Sequence, residues 1–120
     1  MQPLLVFNSR DELFRIPVSK LAYFEADGNY THIVSKNKLR TTVWCSLTQM
    51  EKHLEQQMGI RASLFMRIGR RYIVNRRYIY GISISRQQLT LSDGETFTHV
   101  LPVSREALRA LKNLLTEVRI

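Results

Sequence analysis

The chain is expected to fold as a mainly β protein with two short helices. Three observations lead there: ten short runs rich in β-branched and aromatic residues, turn-forming residues between them, and only two segments with helical spacing. The runs are Leu4 to Phe7, Arg15 to Val18, Ala22 to Ala26, Tyr30 to Ser35, Lys38 to Trp44, Phe65 to Ile68, Tyr72 to Val74, Tyr78 to Ile84, Gln88 to Leu91 and Thr96 to Leu101. Ser92-Asp93-Gly94-Glu95 places Asp-Gly between the last two. Both residues accept positive φ, so a type I′ hairpin is expected there. Asn37 between Lys36 and Lys38 is a weaker turn signal.

Two stretches break the period of two. Ser46-Leu47-Thr48-Gln49 has the form of a capping box, and Leu47, Met50 and Leu54 follow at helical spacing, which predicts a helix over 47–56 ending before Gly59. Ser104 follows Pro102 as an N-cap, and Leu108, Leu111, Leu115 and Val118 make one apolar stripe, which predicts a helix over 104–118. No repeat, low-complexity tract or linker interrupts the 120 residues, so a single domain over 1–120 is expected.

The one cysteine, Cys45, excludes an intramolecular disulfide and suits a reducing compartment, with the cytoplasm as the default. The N-terminal MQPLLVFNSRDELF lacks a basic lead-in, and Asn8 and Arg10 break its apolar run, so it does not read as a secretory signal. No apolar stretch approaches the roughly twenty residues of a membrane-spanning helix. His32, His53 and His99 are scattered with no paired ligand, so no metal or cofactor is implied. Cys45 lacks a paired base and the few clustered carboxylates lack a cradle, so catalysis has no visible machinery.

Charge is the informative part of the composition. The formal net charge is +8 and the pI near 10.2. Between Glu55 and Asp93 there is no acid and no lysine, while Arg61, Arg67, Arg70, Arg71, Arg76, Arg77 and Arg86 all fall there. Five of these seven lie in RIGRRYIVNRR, where Ile68, Ile73 and Val74 turn to a core and leave the guanidiniums outside, so a folded basic patch is expected. A rigid guanidinium fork suits phosphate oxygens and guanine edges better than an ammonium does, which favours a nucleic acid among polyanions. The alternatives are a solvated surface, or a non-catalytic basic module for RNA or single strands, an acidic protein or an anionic surface. Tyr72, Tyr78 and Tyr80 would be the rings on which unpaired bases stack, although sheet packing accounts for them as well.

The phrases IPVSKLAYFEADGNYTHIV (16 to 34), SLTQMEKHL (46 to 54), FMRIGRRYIVN (65 to 75), LTLSDG (89 to 94) and LPVSREALRAL (101 to 111) together resemble the LytTR DNA-binding domain, the output domain of bacterial response regulators. The resemblance covers nearly the whole chain. It implies an elongated arrangement of small antiparallel sheets with short helices. It also implies cytoplasmic, sequence-specific binding of double-stranded DNA through loops, by a two-component transcription regulator.

Three contact regions carry over. The first is the turn and strand start at Asn29, Tyr30, Thr31 and His32, where Asn29 and Thr31 suit base edges and Asp27-Gly28-Asn29 reads equally as a plain turn. The second is the arginine block. There the family usually has histidine before the arginine and serine after it, whereas this chain has Gly69 before Arg70 and Arg71 after. The exchange removes an imidazole and adds a cation for a phosphate or a base edge. Asn75 either closes a turn or contacts DNA, and Arg76 and Arg77 are expected on the phosphate backbone. The third is Arg105 in the first turn of the last helix. A cation opposes the helix dipole there by about 0.3–1 kcal/mol, so base contact, most simply a bidentate pair to guanine, explains it better than stability. A homodimer on direct repeats and a sensor kinase or receiver domain outside this chain are the further partners implied; the 120 residues hold no room for a receiver.

Overall fold

In a computed structural model, residues 3–116 are described. All ten expected strands form, within one or two residues of their expected ends in most cases. β1 (Leu4–Asn8) and β2 (Leu13–Pro17) make a hairpin. β3 (Leu21–Asp27), β4 (Tyr30–Ser35), β5 (Arg40–Val43), β6 (Phe65–Ile68) and β7 (Tyr72–Asn75) form a sheet in the order β5-β4-β3-β7-β6. β8 (Ile79–Ser83), β9 (Gln88–Ser92) and β10 (Thr98–Pro102) form a third sheet. Every pairing is antiparallel. The extents, 50 × 33 × 26 Å, give the elongated outline.

The helices also form. α1 (Leu47–Met58) opens on a complete capping box, with the Gln49 amide donating to Ser46 Oγ at 3.1 Å and the Ser46 amide donating to Gln49 Oε1 at 2.8 Å. α2 (Arg105–Leu115) is capped by Ser104, whose Oγ accepts from the Ala107 amide at 3.2 Å. The helix stops short of the expected end at 118: Thr116 is extended, with φ -79 and ψ 117, so α2 closes at Leu115, and Val118 itself lies outside the described residues.

Both faces of the five-stranded sheet are covered. Phe24, Ile33, Phe65 and Ile73 point toward Leu47, Met50 and Leu54 of α1 and toward Leu5 and Phe7 of β1. Tyr23, Val34, Ile68, Tyr72 and Val74 point the other way, into a core with Leu89, Leu91, Leu101, Leu108 and Leu111 from the three-stranded sheet and α2. Strand alternation therefore feeds two cores at once. Fully buried residues such as Phe24 and Leu108 each contribute about 1.5–3 kcal/mol by leaving water.

Three local expectations are corrected. The Asp93-Gly94 turn is not a two-residue type I′ hairpin. Ser92 pairs with Thr98 across a five-residue loop, Gly94 alone has positive φ, and Asp93 caps the loop by accepting from the amides of Glu95 at 3.0 Å and Thr96 at 2.7 Å. An acceptor side chain made a longer loop more stable than the tight turn. Tyr78 leaves the strand for a 3-10 turn, Arg76–Tyr78. It is buried there with its hydroxyl donating to Ser19 O at 2.9 Å, so it does not share a strand face with exposed Tyr80. Trp44 lies beyond the end of β5 and is exposed.

Candidate nucleic-acid interface

The first contact region is a two-residue turn. Asp27 pairs with Tyr30 across Gly28-Asn29, and Gly28 has φ +58 while Asn29 keeps a negative φ, the II′ pattern that needs glycine first. Asn29 is exposed with no side-chain partner among the described residues, and Tyr30 is half exposed. Thr31 goes the other way. It is fully buried and its hydroxyl donates to Cys45 O at 2.8 Å. His32 is nearly buried, with Nε2 2.8 Å from Asp27 Oδ2 and Nδ1 2.8 Å from Thr42 Oγ1. The expectation that all four side chains are available to a ligand is corrected: strand alternation turns Thr31 inward, and flanking polar groups occupy His32.

The second region is the three-residue turn between β6 and β7. Gly69 has φ +59, and a Cβ added there would lie 3.7 Å from the Ala107 Cβ, so the turn needs glycine's backbone freedom and rests against the first turns of α2. Arg67 organises it from within. Its Nε donates to Gly69 O at 3.1 Å and its Nη1 reaches Glu51 Oε1 at 2.5 Å. Arg71 is held by Glu25, with Nη2 at 2.7 Å and Nε at 3.0 Å from Oε2, and this hydrogen-bonded carboxylate raises the guanidinium's already high pKa. Arg40 Nη2 stands 3.8 Å from the other Glu25 oxygen. Arg70 is exposed, and no side-chain partner holds its guanidinium among the described residues.

β3 runs antiparallel to β7, with Glu25 opposite Tyr72 and the Ala26 amide donating to Arg71 O at 2.8 Å. The Asn29 turn and the Arg70 turn therefore lie at one end of the sheet. α2 starts at this end too: Arg70, Arg71, Ser104, Glu106 and Ala107 line one groove, and Arg105 stands between two of those residues. Arg105 is exposed and its side chain has no partner among the described residues.

Asn75, Arg76 and Arg77 lie at the opposite end. Asn75 is buried, donates to Leu21 O at 2.9 Å and accepts from the Arg77 amide at 3.0 Å, so it closes the turn after β7. Roughly 16 Å of extended strand separates Arg71 from Arg76, at about 3.3 Å per residue. The folded basic patch expected from RIGRRYIVNRR is thus divided: two of its five guanidiniums are neutralised by carboxylates, and two project at the far end because β7 crosses the sheet between them.

Sequence reasoning overlooked Trp44. Thr31 pairs with Val43, the last residue of β5, so Trp44 follows directly at the Asn29 end of the sheet, and it is 78% exposed. The cue was a tryptophan between a strand and a helix cap, where neither element offers it a core position. Of the three tyrosines considered for base stacking, Tyr72 and Tyr78 are buried and only Tyr80 is exposed. Burial also raises the Tyr72 phenol's pKa. Among the described residues no group of three or more His, Cys, Asp or Glu side chains is placed to hold a metal ion. No helix among them is long and apolar enough to cross a membrane.

Comparison with known proteins agrees with this geometry. No curated protein sequence matches the chain. Among solved structures it is similar to one described as the LytTr DNA-binding domain of a methyl-accepting/DNA response regulator from Bacillus cereus. The TM-score is 0.66 and the identity 25%, over 98% of this chain and 100% of that one. The family described as the LytTr DNA-binding domain matches residues 11–116. This chain, with its small antiparallel sheets and two capped helices, belongs to the LytTR family of DNA-binding domains, a family of transcription regulation.

Proposed function

We propose that the chain is one domain that binds double-stranded DNA sequence-specifically through turns at one end of its five-stranded sheet, as the output module of a bacterial transcription regulator. The observation that carries this reading is convergence. Three stretches far apart in sequence, at Asn29-Tyr30, at Arg70 and at Ser104-Arg105, come to one end of the molecule, and the exposed side chains of Asn29, Arg70 and Arg105 have no partner among the described residues. Unpaired guanidiniums held on short, well-ordered turns suit base edges and phosphates, because little side-chain pairing must be broken before they bind. Arg105 is assigned to a base edge, Arg70 to a phosphate or base, and Asn29 to a base edge. Thr31 and Asn75 serve the fold. Arg76 and Arg77, at the other end, fall outside this footprint.

A single-strand or RNA reading loses support with the burial of Tyr72 and Tyr78, since stacking needs open rings. Duplex binding in the cytoplasm, as a homodimer on direct repeats and under a sensor kinase or receiver domain outside this chain, completes the proposal.

Selection of bound sequences from a random duplex library, followed by titration of the winner against unrelated DNA, tests it. An enriched motif that survives competitor DNA is expected, with a salt slope of about 0.9 log units per phosphate contacted. Arg105→Ala should relax the preference at one position, at a cost of about 1–3 kcal/mol. A library that returns no motif, or displacement by any polyanion, overturns the reading.

A further inference from the structure

We propose that the turn between β8 and β9 is a further part of this interface, with Arg86 binding a backbone phosphate on the opposite side of the α2 N-terminus from Arg70. The inference rests on the duplex-DNA reading and adds an element that the three contact regions leave out.

The turn is rigidly placed. The Arg86 amide donates to Ser83 Oγ at 3.3 Å and the Gln87 amide to Ile84 O at 3.1 Å, while Gln87 adopts φ 55, which a side chain other than glycine, asparagine or aspartate seldom takes. Gln87 O accepts from the Val103 amide at 3.0 Å, and Gln88 pairs with Pro102. These bonds fasten the turn to the segment that leads into α2. Pro102, Val103 and Ser104 in turn line two grooves: one is walled by Arg70 and Arg71, the other by Arg86, Gln87 and Gln88. The lead-in to α2 is therefore a ridge with an arginine turn on each flank and Arg105 at its crest.

The charges differ between the flanks. On the Arg70 side, Glu106 lines the groove and Glu25 holds Arg71. On the Arg86 side no carboxylate lines the groove, and the Arg86 guanidinium has no ion pair or hydrogen bond among the described residues. It stabilises no visible feature of the fold, and a cation with no internal partner is free for an external anion. A duplex presents its two phosphate strands on either side of a major groove about 12 Å wide. A ridge set into that groove would carry Arg105 to the bases, and the flanking turns would face the two backbones. Arg86 is thus assigned to the strand that Arg70 does not reach, where it adds affinity without reading sequence.

The test uses the full chain, a labelled duplex of random sequence and a duplex selected from a random library. Affinities are measured across 50–200 mM salt for Arg86→Ala and Arg86→Lys, with Arg70→Ala and Arg105→Ala as references. Arg86→Ala should weaken both duplexes by the same factor, roughly tenfold as for one charge-assisted hydrogen bond, and lower the salt slope by about 0.9. Arg86→Lys should recover most of the loss, because a phosphate accepts a point charge. The thermal midpoint should stay put in both variants. If Arg86→Ala binds as tightly as the parent while Arg70→Ala and Arg105→Ala are weakened, the Arg86 contact is wrong and the interface stands. If all three bind like the parent, the duplex reading falls with it. A loss confined to the selected duplex also overturns the phosphate assignment.

Discussion

Arg71 is bound to Glu25 across the β3–β7 pairing, 2.7 Å from Nη2 to Oε2, whereas Arg70, its immediate neighbour, is free of any carboxylate among the described residues. Adjacent arginines in one turn thus do different work. Arg70→Ala should weaken duplex binding, reduce the salt slope by about 0.9, and leave the urea midpoint nearly unchanged. Arg71→Ala should lower stability by about 1 kcal/mol, since Glu25, only 15% exposed, is left with Arg40 at 3.8 Å. Paired urea titrations and binding isotherms separate the two effects. Equal stability losses would show that the pairing with Glu25 carries little weight.

Asn75 is a second test of division of labour. Asn75→Ala strips a partner from the buried Leu21 carbonyl and from the Arg77 amide, a cost of about 2–3 kcal/mol. Its binding should be normal once corrected for the folded fraction, because the side chain is 1% exposed. A stable variant with weakened binding would return Asn75 to the interface.

His99 should make the fold sensitive to mild acid. Burial against Tyr23 and Phe97 holds its pKa below the ordinary value of 6.5, and Lys38 pushes the same way; Nε2–H donates to Lys36 O at 3.2 Å. The folded-state value lies below the unfolded one, so the unfolded chain takes up the proton first. Stability present above about pH 6.5 is then lost as the pH falls through the folded-state value. Thermal midpoints at pH 7.5 and pH 5 should show a smaller drop for His99→Leu than for the parent. An unchanged drop would locate the acid sensitivity elsewhere.

Much of the architecture could be read along the chain because it rests on short-range chemistry. Ser46 and Gln49 announce α1 through bonds three residues apart, and Ser104 does the same for α2. Runs such as Tyr30–Ser35 and Phe65–Ile68 match their strands to the residue. Where a side chain had a local competitor, the reading slipped. Asp93 captures the amides that a tight turn would have left open.

The amino-acid sequence by itself determined the strands, the two helix starts, the excess of unbalanced arginine and the likeness to one family, since propensity, capping and composition are properties of neighbouring residues. Only the tertiary structure decided which arginines are free. Arg71 meets Glu25 because β7 lies beside β3, and Arg76 parts from Arg70 because β7 crosses the sheet between them. Thr31 is buried because alternation turns it to a face of that sheet that other elements cover, and which faces are covered is settled only by packing. Those outcomes depend on pairing between residues some forty-six positions apart, as Glu25 and Arg71 are, and non-local pairing leaves no local mark.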